Sequence, residues 1–164
     1  MVHLDGSDLT NISSDPALDS QPTWVSDPGT FSPAGDRVAF VSNRDGNQDI
    51  YLVRLEGGDP VNISNNPAED FAPKANLKGD QIIFVSTREG TQDVFVMSSD
   101  GSNQSNLTRS TAQDSFPDWS QDNLWIVFSS NRTGNFEIFA MNPSGTEYYN
   151  LTNSSSQDLY PSWK

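Results

Sequence analysis

The chain has 164 residues, 34% of them apolar, and its 22 acidic side chains outnumber 9 basic ones for a net charge of −13. That balance repels polyanions such as nucleic acid and anionic lipid. The lack of cysteine excludes disulfides and thiolate metal sites, and no apolar run approaches the length of a membrane-spanning helix. The opening residues MVHLDGSD carry neither the basic nor the apolar region of a secretory signal, so export would depend on a leader outside them. Abundant Gly, Pro, Asn, Ser and Asp favour turns and short strands over helices.

In chain order, Asn11-Ile12-Ser13 and Asp19 come first, followed by the stretch around TWVSDPGTF. Then VSNRDGNQDIYLV begins at Val41, VSTREGTQDVFVM at Val85 and SSNRTGNFEIFAM at Ser129. The arginines fall at Arg44, Arg88 and Arg132, a period of 44 residues. Asn62, Asn106 and Asn150 keep that spacing, each followed by Ile or Leu and then Ser or Thr. Gly57, Gly101 and Gly145 keep it too, as do Asp70, Asp114 and Asp158 with a proline three residues later. A fixed period of this size indicates a repeat architecture. Asn11 and Asp19 precede their counterparts by 51 residues instead of 44, so seven extra residues fall between Asp19 and Phe31.

Each unit reads as four short strands, in the second unit near 72–75, Gln81–Ser86, 93–97 and 104–108, separated by Lys-Gly-Asp, Arg-Glu-Gly-Thr and Ser-Asp-Gly-Ser turns. The second and third strands are apolar on consecutive residues, as in IIFV and VFVM, which predicts burial on both faces. Four antiparallel strands per unit, each sheet sandwiched between neighbours, describe β-propeller blades. The expected fold is therefore all-β. It holds a partial blade over about 1–18, blades over about 19–64, 65–108 and 109–152, and a partial blade over 153–164 that begins with a first strand at 160–163. Because an open ring leaves a sandwiched face uncovered, this pattern suits a portion of a longer propeller. Copies that complete one another, or a tight four-bladed ring closed through a composite blade, remain alternatives.

In a four-stranded meander, the loop after the second strand shares a side with the loop entering the first. This places Arg44, Arg88 and Arg132 near Asp19, Asp70, Asp114 and Asp158, and near the third-strand acids Asp49, Asp93 and Glu137. A structural ion-pair network is the first expectation. The surplus carboxylates leave a second one, a calcium ion held by Asp19, Asp70, Asp114 and Asp158. The hairpin NRDGNQDIY itself makes a poor calcium loop, because Asp45 becomes Glu89 and Thr133 in the other copies. What persists is the arginine, the glycine two residues later and the acid five residues after the arginine.

Catalytic signatures are lacking. The single histidine is His3, no Gly-x-Ser-x-Gly elbow or phosphate-cradling Gly-Lys-Ser/Thr motif occurs, and no carboxylate pair stands out for glycoside hydrolysis. The glycosylation-like tripeptides at Asn11, Asn62, Asn106, Asn131 and Asn150 mostly coincide with the fourth-strand motif and read as structural. Trp24, Trp119 and Trp163 fall on expected innermost strands and Trp125 opens a second strand, where packing between blades is their expected role.

Taken together, Ser42-Asn43-Arg44-Asp45-Gly46, Asp49-Ile50-Tyr51, Asp100-Gly101 and Asn106-Leu107-Thr108 resemble the TolB-type, WD-like β-propeller repeat over nearly the whole chain. The Trp-Ser-Pro-Asp-Gly turn of that repeat has drifted to Ala75-Asn76-Leu77-Lys78-Gly79 and Trp119-Ser120-Gln121-Asp122-Asn123. It survives best as Phe31-Ser32-Pro33-Ala34-Gly35. The resemblance implies a non-catalytic envelope or secreted protein, periplasmic or extracellular, that binds a protein partner or copies of itself. Nucleic acid and membrane insertion are not expected, and calcium is the one ion considered. Two alternatives follow from the same resemblance: the propeller portion of a larger hydrolase, such as a prolyl oligopeptidase-like serine peptidase, and a self-assembling extracellular filament protein.

Overall fold

Twelve strands form three four-stranded antiparallel sheets in the computed structural model, which describes residues 10–26 and 36–163. The first sheet holds β1 (Asp19–Val25), β2 (Arg37–Ser42), β3 (Asp49–Arg54) and β4 (Val61–Asn62). The second holds β5 (Asp70–Ala75), β6 (Gln81–Ser86), β7 (Asp93–Ser98) and β8 (Ser105–Asn106). The third holds β9 (Asp114–Trp119), β10 (Ile126–Ser130), β11 (Glu137–Met141) and β12 (Tyr148–Asn150). Every sheet is a simple meander, and β1 packs on β5 as β5 packs on β9, so the first strands stand side by side as the inner layer.

The consecutive apolar residues are buried on both sides, as sandwiched blades require. Ile82 and Phe84 turn toward the first sheet, where they join Ala39, Ile50 and Ile63. Ile83 and Val94 turn the other way and join Ile126, Phe128, Phe139 and Met141 of the third. Ile82, Ile83, Phe84 and Val85 are all fully buried, each contributing about 1.5–3 kcal/mol relative to an exposed side chain. A glycine in each of two later blades makes this stacking close. A Cβ on Gly101 would lie 2.5 Å from the Ile63 carbonyl oxygen, and one on Gly145 would lie 2.4 Å from that of Leu107.

The first strands are bulged. Their pairing slips between Ser20 and Thr23, between Phe71 and Lys74, and opposite Val127–Ser129 in the third sheet. At each slip one residue has a left-handed backbone: Gln21 (φ 51°), Ala72 (φ 53°) and Phe116 (φ 53°), with Tyr160 (φ 60°) at the matching position after the third sheet. Each is followed by Pro22, Pro73, Pro117 or Pro161. Proline has no N–H to leave unpaired where the ladder is interrupted, which explains the recurring proline three residues after each aspartate.

Two expectations about the ends change. No strand forms over 160–163, since no second strand stands beside it among the described residues; Tyr160 instead lays its ring on Phe116, with centroids 4.3 Å apart. Residues 10–18 carry no strand either, and Ile12 packs on Phe40, Tyr51 and Val53. Pairing of Val25 with Arg37, set against the Asn76–Gln81 contact of the next sheet, confines the seven extra residues to the loop between Val25 and Arg37. Most of that loop, the Phe31-Ser32-Pro33-Ala34-Gly35 turn and His3 lie outside the described residues.

Candidate functional site

The repeated arginine leaves the end of each second strand and folds back over its own blade. Arg88 Nη2 lies 2.8 Å from Asp70 Oδ2, Arg132 Nη2 lies 3.1 Å from Asp114 Oδ1, and Arg44 Nη2 lies 3.3 Å from Asp19 Oδ1. The Nε of each donates to the serine two residues earlier, Ser42, Ser86 or Ser130, at 2.8–2.9 Å. Beneath each guanidinium lies a cross-strand aromatic pair: Phe40 and Tyr51, Phe84 and Phe95, or Phe128 and Phe139, with centroids 4.6–5.4 Å away. Stacking on a ring face adds about 0.5–2 kcal/mol per site, and it holds the planar group where lysine would not fit equally well. The signal was present in the sequence as an aromatic four residues before and seven after every arginine.

The third-strand acids belong to a separate set. Asp49 accepts from the Ser64 hydroxyl at 2.8 Å, Asp93 accepts from Thr108 at 2.9 Å, and Glu137 accepts from Thr152. Each hydroxyl oxygen in turn accepts the backbone N–H of Ile50, Val94 or Ile138 at 2.9–3.0 Å. The asparagine two residues before the hydroxyl caps the following turn through its side-chain oxygen. The residue three positions after it, Asn65, Arg109 or Asn153, is left-handed. The Asn-Leu-Thr motif is therefore a tie between third and fourth strands. Replacing Thr108 with valine should cost about 1–3 kcal/mol, because it strips a partner from Asp93 and orphans the buried Val94 N–H; urea unfolding would measure it.

Burial pushes the Asp70 and Asp114 carboxyls above the ordinary aspartate range, against the pull of Arg88 and Arg132. One oxygen of Asp70, Oδ1, is buried without a hydrogen-bond partner. Asp19 is also raised by burial, but hydrogen bonds from Ser13, Ser42 and Arg44 outweigh this and hold it low. For Asp70 the folded state binds the proton first, so stability rises as pH falls from the raised value toward the ordinary one. Wild-type protein should thus gain stability relative to Asp70→Asn as pH falls through the acidic range toward the ordinary aspartate value, about pH 4. Urea midpoints of both proteins across that range would test it, and a wild type that loses stability relative to Asp70→Asn on acidification would contradict it.

The loop residues of NRDGNQDIY are committed to the fold. Asp45 accepts from the Tyr51 hydroxyl, and Asn47 donates its amide to the carbonyls of Asn66 and Ala68, each at 2.9 Å. Among the described residues, no three His, Cys, Asp or Glu side chains converge as a metal ion would need. Asp19, Asp70 and Asp114 each face the arginine of their own blade, while Asp158 is anchored by its backbone N–H to the Phe136 carbonyl at 2.8 Å. Trp119 is buried and donates its indole N–H to the Lys74 carbonyl at 3.1 Å, whereas Trp24 is half exposed. Trp125 lies just before its strand and meets Tyr149 edge-on at 5.6 Å.

Four-stranded blades stacked face to face, with a repeated Asp–Arg–Ser cluster at one end of each, agree with a family model described as the TolB beta propeller domain, which matches residues 28–164. The chain belongs to that family. Among solved structures this TolB-family chain is similar to a putative TolB from Agrobacterium tumefaciens, with a TM-score of 0.71 and 24% identity over 90% of this chain. It is also similar to TolB from Acinetobacter baumannii, with a TM-score of 0.74 and 19% identity over 98% of it. The chain spans 66% and 39% of the lengths of those two proteins. A puromycin-hydrolyzing peptidase of Mycobacterium tuberculosis has the same fold in part, with a TM-score of 0.64 and 13% identity; 85% of this chain matches 22% of that one. A search of curated protein sequences finds no match. No helix among the described residues is long and apolar enough to cross a membrane.

Proposed function

We propose that this TolB-family chain is a non-catalytic, protein-binding propeller module of the periplasm or the extracellular space. The observation that carries the reading is the surface of the bulged inner strands. Phe116 and Tyr160 sit at left-handed positions, where bulky side chains cost energy, and their rings meet at the surface with planes tilted by 49°, Tyr160 being 69% exposed. Exposed aromatic side chains are common anchors of protein interfaces, and here Phe116 presents one from β9 with the Tyr160 ring beside it. The arginines are folded over their own rings, so partner contacts are assigned to the inner strands and the surrounding loops.

A photo-crosslinking amino acid placed at Phe116 or Tyr160 should give one discrete adduct with a different protein, and none when placed at the exposed Lys78. Adducts formed only with a second copy would favour self-assembly, including filaments, and a lack of any adduct would remove the binding reading. The likeness to the peptidase supports a second reading, the propeller portion of a larger hydrolase such as a prolyl oligopeptidase-like serine peptidase. Peptide hydrolysis that depends on a Gly-x-Ser-x-Gly serine in the same polypeptide would favour it.

A further inference from the structure

Only three of the nine basic residues form the repeated cluster, and two of the others, Arg37 and Arg54, come together elsewhere. They are the last register pair of β2 and β3, on the blade face that carries Ala39 and Leu52 toward the second sheet. Like charges directly opposite each other on a sheet are destabilising. Among the described residues neither arginine comes within ion-pair distance of a carboxylate: Arg37 donates to Ser99 Oγ at 3.3 Å and its charge helps hold the Asp100 carboxyl low, while Arg54 is exposed. The repeat does not ask for this pair. The matching positions are Gln81 and Ser98 in the second blade, and Trp125 and Asn142 in the third.

The two arginines line a cavity of about 460 Å³ whose apolar wall includes Leu52, Val61 and Ile63. Gly57 and Gly58 form its loop side, and a Cβ at either would meet nothing within 4 Å, so the loop leaves the space open. Asp59 and Asp100 lie at the same cavity. Asp100 already accepts from the Ser102 backbone N–H and hydroxyl, at 2.9 and 2.6 Å. These two acids disfavour phosphates and other multiply charged anions, leaving a singly charged group as the better match for the arginine pair.

We propose that this cavity binds a monocarboxylate with an apolar body, the chemistry shared by a free acyl amino acid and the C-terminal residue of a polypeptide. The carboxylate bridges Arg37 and Arg54 and relieves their repulsion through charge-assisted hydrogen bonds, while the apolar body lies against Leu52, Val61 and Ile63. The site is separate from the Phe116–Tyr160 surface, so its failure leaves the protein-binding reading untouched.

The test uses four probes on the intact chain: N-acetyl-leucine, its amide, an octapeptide ending in leucine, and that peptide amidated. Binding is followed by calorimetry and by the amide NMR signals of Gly57 and Gly58. Both acids, or the peptide acid alone, should bind at least about tenfold more tightly than their amides, and which acid binds identifies the source. The double substitution Arg37→Gln with Arg54→Ser installs the residues that the second blade tolerates. It should abolish binding while leaving the melting temperature equal or higher. Equal binding of acid and amide, unchanged binding by the double variant, or no response to any probe at about 10 mM would overturn the proposal.

Discussion

Replacing Arg88 with alanine is expected to destabilise the protein by about 3–5 kcal/mol, read from urea unfolding at neutral pH. Asp70 is fully buried and Arg88 is its one ion-pair partner among the described residues, at 2.8 Å. Removing the guanidinium leaves a carboxylate whose second oxygen already lacks a hydrogen-bond partner. It also uncovers the Phe84–Phe95 pair and releases Gln104, whose side-chain oxygen accepts from Arg88 Nη1 at 2.6 Å and whose amide ties down the carbonyls of Ile63, Ser64 and Gly101. Lysine should recover little of the loss, because it restores charge but neither the fork nor the ring stacking. Arg44→Ala should cost less, about 1–3 kcal/mol, since Asp19 keeps 19% of its side chain in water. Adding Asp70→Asn to Arg88→Ala should return part of the stability by removing the stranded charge. If the double variant is no more stable than the single one, the cost lies in lost ring packing and not in the buried carboxylate.

Much of this architecture is legible in the sequence, because a 44-residue period turns each local ambiguity into three parallel observations. IIFV at 82–85 alone does not distinguish a buried strand from a core helix segment; three copies with turn residues at fixed offsets do. The same spacing put Arg88 and Asp70 on one side of a blade, where they lie 2.8 Å apart. Sequence reasoning could not separate Asp70 from Asp93, since both are acids on that side. The difference rests on the register of Thr108, whose hydroxyl reaches Asp93. The bulges were missed for a related reason. Strand alternation predicts which way side chains point, but a left-handed residue at Ala72 or Phe116 breaks that alternation, and Pro73 and Pro117 were its only trace. The charge pair Arg37–Arg54 stood in plain view as a departure from the repeat, yet it acquires meaning only once β2 and β3 set the two arginines opposite each other.

Gly101→Ala is expected to be the other severe substitution, costing roughly 2–5 kcal/mol. Its comparison with Gly90→Ala isolates the cause. Both glycines have positive φ, 87° and 103°, so alanine strains the backbone at either site. At Gly90 a Cβ would meet nothing within 4 Å, and the backbone strain of about 1–2 kcal/mol is the whole cost. At Gly101 the Cβ would lie 2.5 Å from the Ile63 carbonyl oxygen and 3.0 Å from the Ile63 Cβ, so the second blade must back away from the first. That movement disturbs the three bonds from the Gln104 amide and loosens Ile82, Phe84 and Phe95 against Ala39 and Ile50. Gly145→Ala should behave like Gly101→Ala, because its Cβ meets the Leu107 carbonyl at 2.4 Å and the Tyr148 hydroxyl bridges the same Leu107 and Gly145 carbonyls. Urea unfolding of the three variants decides the matter. Equal losses at positions 90, 101 and 145 would mean that the blades yield easily at their outer turns, and that close contact between turn and neighbouring strand does not hold the stack together.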